Sequence, residues 1–325
     1  MRIGLIWNER AGSAASVEVT ALQQRLHELL AADVLVERIS SSRSASACTR
    51  AALDAGAAVV IAAGGDGTVS GVAAELVGRD AALGVLPLGT SNSFAAAMGI
   101  PADLDDALAL LATDQRRVVD AARVRGPAGE RTMILHCTIG FHAAVIAETP
   151  TSAKRRWGVL AYAATALRRL ASLDTFALEV TTGDHVVRCR ATALVAANLA
   201  PIKTVLAHGP SHVLADDGLV DATIIAAETF TEAIATGLHL WRSALEGEPA
   251  TRDNVGSLSA AELTATADPP QPVLVDGEAF GETPVTITSL PRALRVVAPP
   301  APEAEGPPIE AALLGLPELE IDRRT

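Results

Sequence analysis

The chain has 325 residues, enough for two domains that each bury a core. Hydrophobic residues make up 49% and charged residues 20%, a globular balance, and no stretch approaches the ~18 consecutive apolar residues of a membrane span. A net charge of −12 argues against a nucleic-acid binder, and Cys48, Cys137 and Cys189 have neither a disulfide-framework nor a zinc-ligand spacing.

An apolar strand is predicted at residues 2–7. It ends at Trp7, too short for a signal peptide, so the expectation is a cytoplasmic protein. The polar loop Asn8-Glu9-Arg10-Ala11-Gly12-Ser13 follows, then a helix over 14–31 with Leu22, Leu26, Leu29 and Leu30 along one face. A strand at 34–39 ends beside Ser40, and a helix is predicted at 45–54. The unbroken apolar run 57–62 suits a strand buried on both sides. It leads into Gly64-Gly65-Asp66-Gly67-Thr68 and a helix at 69–77. Strand, glycine turn and helix in that order aim backbone N–H groups at an anion. Asp66 would repel a bare phosphate there, so its carboxylate suits a metal ion or a hydroxyl beside phosphates; a tight turn with an exposed aspartate is the plainer alternative. The pattern repeats at 82–86, followed by Gly89-Thr90-Ser91-Asn92-Ser93-Phe94 and a short helix, with a further helix at 103–112. Alternating strands and helices imply a parallel, doubly wound α/β domain. Three Gly-, Asn-, Ser- and Thr-rich loops at strand carboxyl ends make a nucleotide cleft the preferred reading.

From about residue 121 the pattern changes. A turn at 126–129 leads to a strand at 132–139, and further strand-like runs lie at 176–181, 186–196, 219–226, 272–275, 285–288 and 294–297. Thr182-Gly183-Asp184 and Asp216-Asp217-Gly218 are turn signals between them. The expectation is a mostly antiparallel second domain with one substantial helix at 159–173. Lys154-Arg155-Arg156-Trp157, with Arg168 and Arg169, could form a local basic patch, though a solvated helix start carries the same charges. Gly209-Pro210 prevents His208 and His212 from sharing a helix face as metal ligands, and His136 and His142 read as packing residues. The domains are therefore expected at 1–121 and 122–298, with the strand at 294–297 closing the second or returning to the first. Residues 299–325 read as a Pro-rich acidic linker and tail, with a short helix at 308–319.

Together, Gly64-Gly65-Asp66-Gly67-Thr68 and the later Pro87-Leu88-Gly89-Thr90-Ser91-Asn92-Ser93-Phe94-Ala95 resemble the catalytic domain shared by diacylglycerol kinases, sphingosine kinases and bacterial lipid kinases. The stretch 115–124 resembles the family segment that carries an aspartate, here Asp120. The turn Ala215-Asp216-Asp217-Gly218-Leu219 resembles its metal-binding turn, and Val275-Asp276-Gly277-Glu278 its late Asp-Gly-Glu element. The resemblance covers roughly residues 1 to 300. It implies a phosphofructokinase- or flavodoxin-like first domain, a β-sandwich-like second one, and transfer of the γ-phosphoryl of ATP to a lipid hydroxyl, diacylglycerol-like first among the acceptors. It also implies roles. Asn8, Ser40, Gly64, Gly65, Asp66, Gly67, Thr68, Gly89, Thr90 and Asn92 would meet the nucleotide, and Glu278 would be the general base. Asp66 and Asp120 would belong to a carboxylate–water–magnesium network, and Asp217 with the carbonyls of Leu214 and Leu219 would hold a second magnesium. An apolar cleft near 157–173, with Tyr162 beside it, would take the lipid, with peripheral membrane contact and no nucleic-acid partner. A homodimer is compatible with such folds.

The chain departs from the family twice. Ser70-Gly71 stands where Asn-Glu is usual, and Asn92-Ser93 where Asn-Asp is usual. Loss of a carboxylate at Ser93 implies weaker magnesium–nucleotide binding or slower turnover. The departures feed an alternative, a nucleotide- or lipid-binding pseudokinase; NAD kinases share the first glycine motif but not the two later acidic turns.

Overall fold

In a computed structural model, the structure describes residues 1–14, 17–113, 115–140, 175–200, 213–227, 232, 235–236, 253–301, 313 and 315–324. The expected helix at 159–173 with Tyr162, the basic run at 154–157, Arg168, Arg169, His142, His208 and His212 lie outside the described residues. Two compact units are present. The first is Met1–Ala121 with Pro291–Glu303, and the second is Ala122–Leu290 with Ala304–Thr325.

The first unit is α/β. Its strands β1 (Arg2–Trp7), β2 (Asp33–Arg38), β3 (Val59–Gly64) and β4 (Ala82–Pro87) pair in parallel in the order β2-β1-β3-β4. Strands β3 and β4 are buried at every residue, as unbroken apolar runs covered on both faces require. Five helices accompany them: α1 (Val19–Leu30), α2 (Ala45–Asp54), α3 (Asp66–Leu76), α4 (Ser93–Ala97) and α5 (Leu104–Ala112). Helix α1 packs with α5, and α2 with α3. Helix α1 starts later than its leucine spacing suggests, because the Glu18 carboxylate caps it by accepting the N–H groups of Thr20 and Ala21.

The second unit is a β-sandwich. One sheet runs β12 (Val255–Ala260), β11 (Val220–Ile225), β10 (Ala193–Ala197), β7 (His136–Gly140), β14 (Pro272–Val275), β15 (Glu278–Glu282), all antiparallel. The other holds β8 (Phe176–Thr181), β9 (His185–Ala191), β13 (Glu262–Asp268), the start of β16 (Val285–Val297), and a hairpin of β5 (Arg116–Gly126) with β6 (Gly129–Met133). Alternate residues such as Ile139, Leu194, Ile224, Leu178, Val187 and Ile287 form a shared core. The run expected as a single strand at 186–196 is two strands that separate at Thr192 into different sheets. Conversely, 285–288 and 294–297 belong to one strand, β16, whose far end pairs with β4 through Val296 and Leu83 in the first unit.

The tail corrects one expectation. Residues 315–319 are turn and coil rather than helix, and β17 (Glu320–Arg323) pairs antiparallel with β9. Among the described residues no helix is long and apolar enough to cross a membrane.

Candidate functional site

Three loops at the carboxyl ends of β1, β3 and β4 interlock. Asn8 follows β1: its Oδ1 accepts the Arg10 N–H at 3.1 Å while its Nδ2 donates to Thr68 Oγ1 at 2.9 Å. Five residues on, the Ser13 N–H and hydroxyl both donate to the Leu88 carbonyl, at 3.0 and 3.3 Å. The glycine turns meet backbone to backbone. A Cβ on Gly89 would lie 2.4 Å from Gly65 Cα, and one on Gly65 would lie 3.1 Å from Gly89 Cα. Only glycine permits that approach. A Cβ on Gly64 would in turn strike the Thr68 side chain, at 2.5 Å from Oγ1.

Helix α3 begins at Asp66 with Gly65 as its N-cap; the Gly65 carbonyl accepts the Thr68 and Val69 N–H groups, which leaves the first two N–H groups of α3, at Asp66 and Gly67, without an intrahelical acceptor. The Asp66 Oδ1 accepts the Phe94 N–H at 3.1 Å, which turns this oxygen onto the start of α4. A carboxylate at a helix start is electrostatically favourable. Asn92 adopts the left-handed conformation at φ 50°, ψ 43°. Its Oδ1 accepts the Gly89 N–H at 2.8 Å, and its Nδ2 donates to the Gly89 and Pro87 carbonyls at 3.0 and 3.3 Å. The amides of Asn8 and Asn92 thus brace the loops. In the two glycine turns Gly67, Thr90 and Ser91 are exposed, as are Glu9, Arg10 and Ser13 in the loop after β1.

Ser40 is exposed after β2, where its hydroxyl accepts the Ser42 N–H at 3.3 Å. Asp120 is 1% exposed in β5 and accepts the Arg292 N–H at 2.6 Å, holding Arg292 in its left-handed turn at φ 52° within β16. Gly71, one of the departures in sequence, lies where α3 crosses α2. A Cβ there would sit 2.8 Å from Ala45 Cβ, and Ser46 Oγ donates to the Gly71 carbonyl at 3.1 Å. That position is set by helix packing.

In the second unit, Asp276-Gly277 forms the two-residue loop between β14 and β15, with φ 49° and 81°. Such a pair is the Asp-Gly signature of a type I′ hairpin turn. The Asp276 carboxylate accepts three backbone N–H groups, from Ile134 at 3.0 Å, Leu135 at 2.9 Å and His136 at 3.1 Å. Glu278 follows, 65% exposed, with its carboxylate 3.7 Å from Arg131 Nη1. Arg131, which the sequence did not single out, also donates to the Ala279 and Glu278 carbonyls at 3.2 and 3.5 Å and lies 5.6 Å over the Phe280 ring.

The turn before β11 places Gly218 at φ 79°, and Asp217 Oδ1 accepts the Leu219 N–H at 2.9 Å. Leu214 is 36% exposed at its start. Nearby Asp221 is buried, and burial pushes its carboxyl up to about 6; its hydrogen bond with Ser259 pulls it back and the charge of Asp217 adds to the rise. Among the described residues no group of three or more His, Cys, Asp or Glu side chains gathers. A site built from Asp217 and the carbonyls of Leu214 and Leu219 would use hard oxygens, the donors magnesium prefers. All three cysteines are buried, and burial raises the Cys189 thiol to about 11 and that of Cys137 further.

Residues 2–124 match the family model described as the diacylglycerol kinase catalytic domain, and residues 136–298 match the YegS C-terminal NAD kinase beta sandwich-like domain. A Klebsiella pneumoniae protein named "Probable lipid kinase YegS-like" is 33% identical over 77% of this chain and 80% of its own length. An uncharacterized Synechocystis protein is 34% identical over 75% of this chain. The chain spans only about half the length of some curated relatives it matches, 55% for the Synechocystis protein and 57% for two from Xanthomonas oryzae. A solved structure of a diacylglycerol kinase from Bacillus anthracis str. Sterne is similar with a TM-score of 0.67, covering 92% of this chain and 97% of that one at 18% identity. At that identity the likeness bears on the fold alone.

Proposed function

Because the chain belongs to the diacylglycerol kinase-like lipid kinases, we propose that it transfers the γ-phosphoryl of magnesium-bound ATP to a lipid hydroxyl, a diacylglycerol-like acceptor first among the candidates. The observation that carries the nucleotide side is the cross-braced trio of strand-end loops, with the α3 start and Thr90 facing outward. The donor set fits a polyphosphate, since the α3 N–H groups and the Thr90 hydroxyl are donors and the bonded Asp66 oxygen is turned toward α4. The same carboxylate has a second oxygen, the one acidic donor of this turn suited to a magnesium–water shell. Magnesium bound with the nucleotide supplies charge neutralisation on the phosphates.

The chain's own residues do the rest. Asn8, Thr68 and Asn92 hold the glycine turns rigid, so the donors are aimed before the nucleotide arrives. Glu278 takes the proton of the acceptor hydroxyl while its oxygen bonds to the γ-phosphorus and the bond to the departing ADP oxygen breaks. An exposed carboxylate on a two-residue hairpin is accessible to an acceptor presented from a membrane surface. The second reading, a pseudokinase, draws on Ser70, Gly71 and Ser93, the last of which leaves the 89–94 loop without a carboxylate.

A panel of acceptors separates these readings: diacylglycerol, phosphatidylglycerol and a sphingoid base in mixed micelles, with NAD as a control, read by ADP release. Release that requires one lipid and is absent with NAD supports the proposal. Release with NAD alone would replace it with an NAD kinase, and ATP binding without release anywhere would favour the pseudokinase.

A further inference from the structure

Glu278 is exposed, and a side chain at the end of a two-residue hairpin has little of its own to fix it. Two features of the second unit hold that hairpin. Asp276 anchors its inner side through three backbone N–H groups at 134–136. Arg131, on β6, holds its outer side: one guanidinium nitrogen contacts the carbonyls of Glu278 and Ala279 and comes within 3.7 Å of the Glu278 carboxylate. The guanidinium carbon lies 5.6 Å over the ring of Phe280, which is 6% exposed. Phe280 itself belongs to the buried core of the sandwich.

We infer that Arg131 is the positioning residue that orients Glu278 for proton transfer, an inference that rests on the reading of Glu278 as the base. An exposed ion pair adds little to fold stability. This one is different in geometry, because the same guanidinium holds the backbone that carries the carboxylate and is itself held on an aromatic face. Its flat fork and π contact are properties lysine lacks, so the charge alone does not substitute for it. Arg125, on the preceding strand β5, serves as the comparison: it pairs with Glu130 and is more exposed, at 59% against 37% for Arg131, but makes no part of this hairpin.

The test uses the full chain, γ-labelled ATP and a total bacterial lipid extract in mixed micelles. Arg131→Met should lower kcat about tenfold or more, as loss of near-attack orientation does, with KM for ATP and Tm close to wild type. Arg131→Lys should recover only part of that loss. Guanidinium ion should restore turnover to Arg131→Ala and not to Glu278→Gln, while Arg125→Met should match wild type. A readout without turnover runs beside it: carbodiimide coupling of a glycine ester, mapped by peptide mass spectrometry. Labelling of Glu278 should rise about threefold or more in Arg131→Met as the carboxylate loses its partner, with Glu282 unchanged. Wild-type kcat in Arg131→Met, or unchanged Glu278 labelling, would overturn the inference while leaving Glu278 as the base. Full activity in Glu278→Gln would instead remove the base reading itself.

Discussion

At the scale of single residues, the glycines that carry the motif are explained by contacts more than by turn chemistry. Gly65 and Gly89 stand where two loops press main chain on main chain, and Gly71 where two helices cross. Gly89→Ala is expected to cost about 1–3 kcal/mol in urea unfolding, since the new Cβ would meet backbone atoms that cannot turn aside. It should also weaken ATP binding measured by calorimetry, because the donors of both turns shift. Gly183→Ala is the matched control: nothing lies within 4 Å of a Cβ there, and the expected change is within about 0.5 kcal/mol. Equal stability and ATP affinity for both variants would contradict the interlocked-loop account. The position of these loops at strand ends was legible in sequence, but the partners of their side chains were not. Asn8, Thr68 and Asn92 are polar residues in loops, and spacing alone does not tell whether an amide meets a phosphate or another loop. Arg131 carried no signal at all, because its contact is with residues 147 and 148 positions away.

At the scale of elements, the first unit is legible because β3 and β4 are unbroken apolar runs and α1, α2 and α5 are amphipathic. Strand β1 and helix α2 have the bounds expected, and β3 is shifted by two residues. The second unit resisted at its corners. The run expected as one strand at 132–139 is broken at Ile134 and Leu135 between β6 and β7, and the cause lies far along the chain: the Asp276 carboxylate accepts their N–H groups and that of His136. Likewise β16 passes Pro291 as one strand because Asp120 holds Arg292 in its turn. Strands β12 and β13 carry little strand signal in sequence, as their runs of Ser, Thr and Ala lack the strong apolar alternation of β8.

The tail is the element that most exceeds its reading. Leu313 and Leu316 are buried in the sandwich core, the Pro317 carbonyl accepts the Arg190 N–H at 2.9 Å, and Arg188 bridges Glu179 and Asp322 at 2.7 Å each. Ending the chain after Ala301 should therefore cost about 3 kcal/mol or more from the two leucines alone, read as a lower urea midpoint. It should also leave the β9 edge without its partner and promote self-association in light scattering. A truncated chain as stable and as monodisperse as the full one would show that β17 contributes nothing to the sandwich.

At the scale of the whole molecule, the chain joins a parallel α/β unit to a β-sandwich, and both the order of motifs and the two family matches follow that division. The class was legible because glycine-rich turns at 64–68 and 87–95 each follow a buried strand, and that pair with the later acidic turns is specific to the family. The acceptor was not legible, because a lipid site is built from apolar side chains whose pattern is that of any core. The most direct measurement of the central claim is transfer of label from γ-labelled ATP to a total lipid extract, with and without magnesium, in wild type and Glu278→Ala. The account predicts a labelled lipid that disappears when magnesium is withheld and falls at least about a hundredfold in the variant, as loss of a general base does. Wild-type protein that binds ATP yet labels no lipid, or a variant that labels as well as wild type, would contradict it.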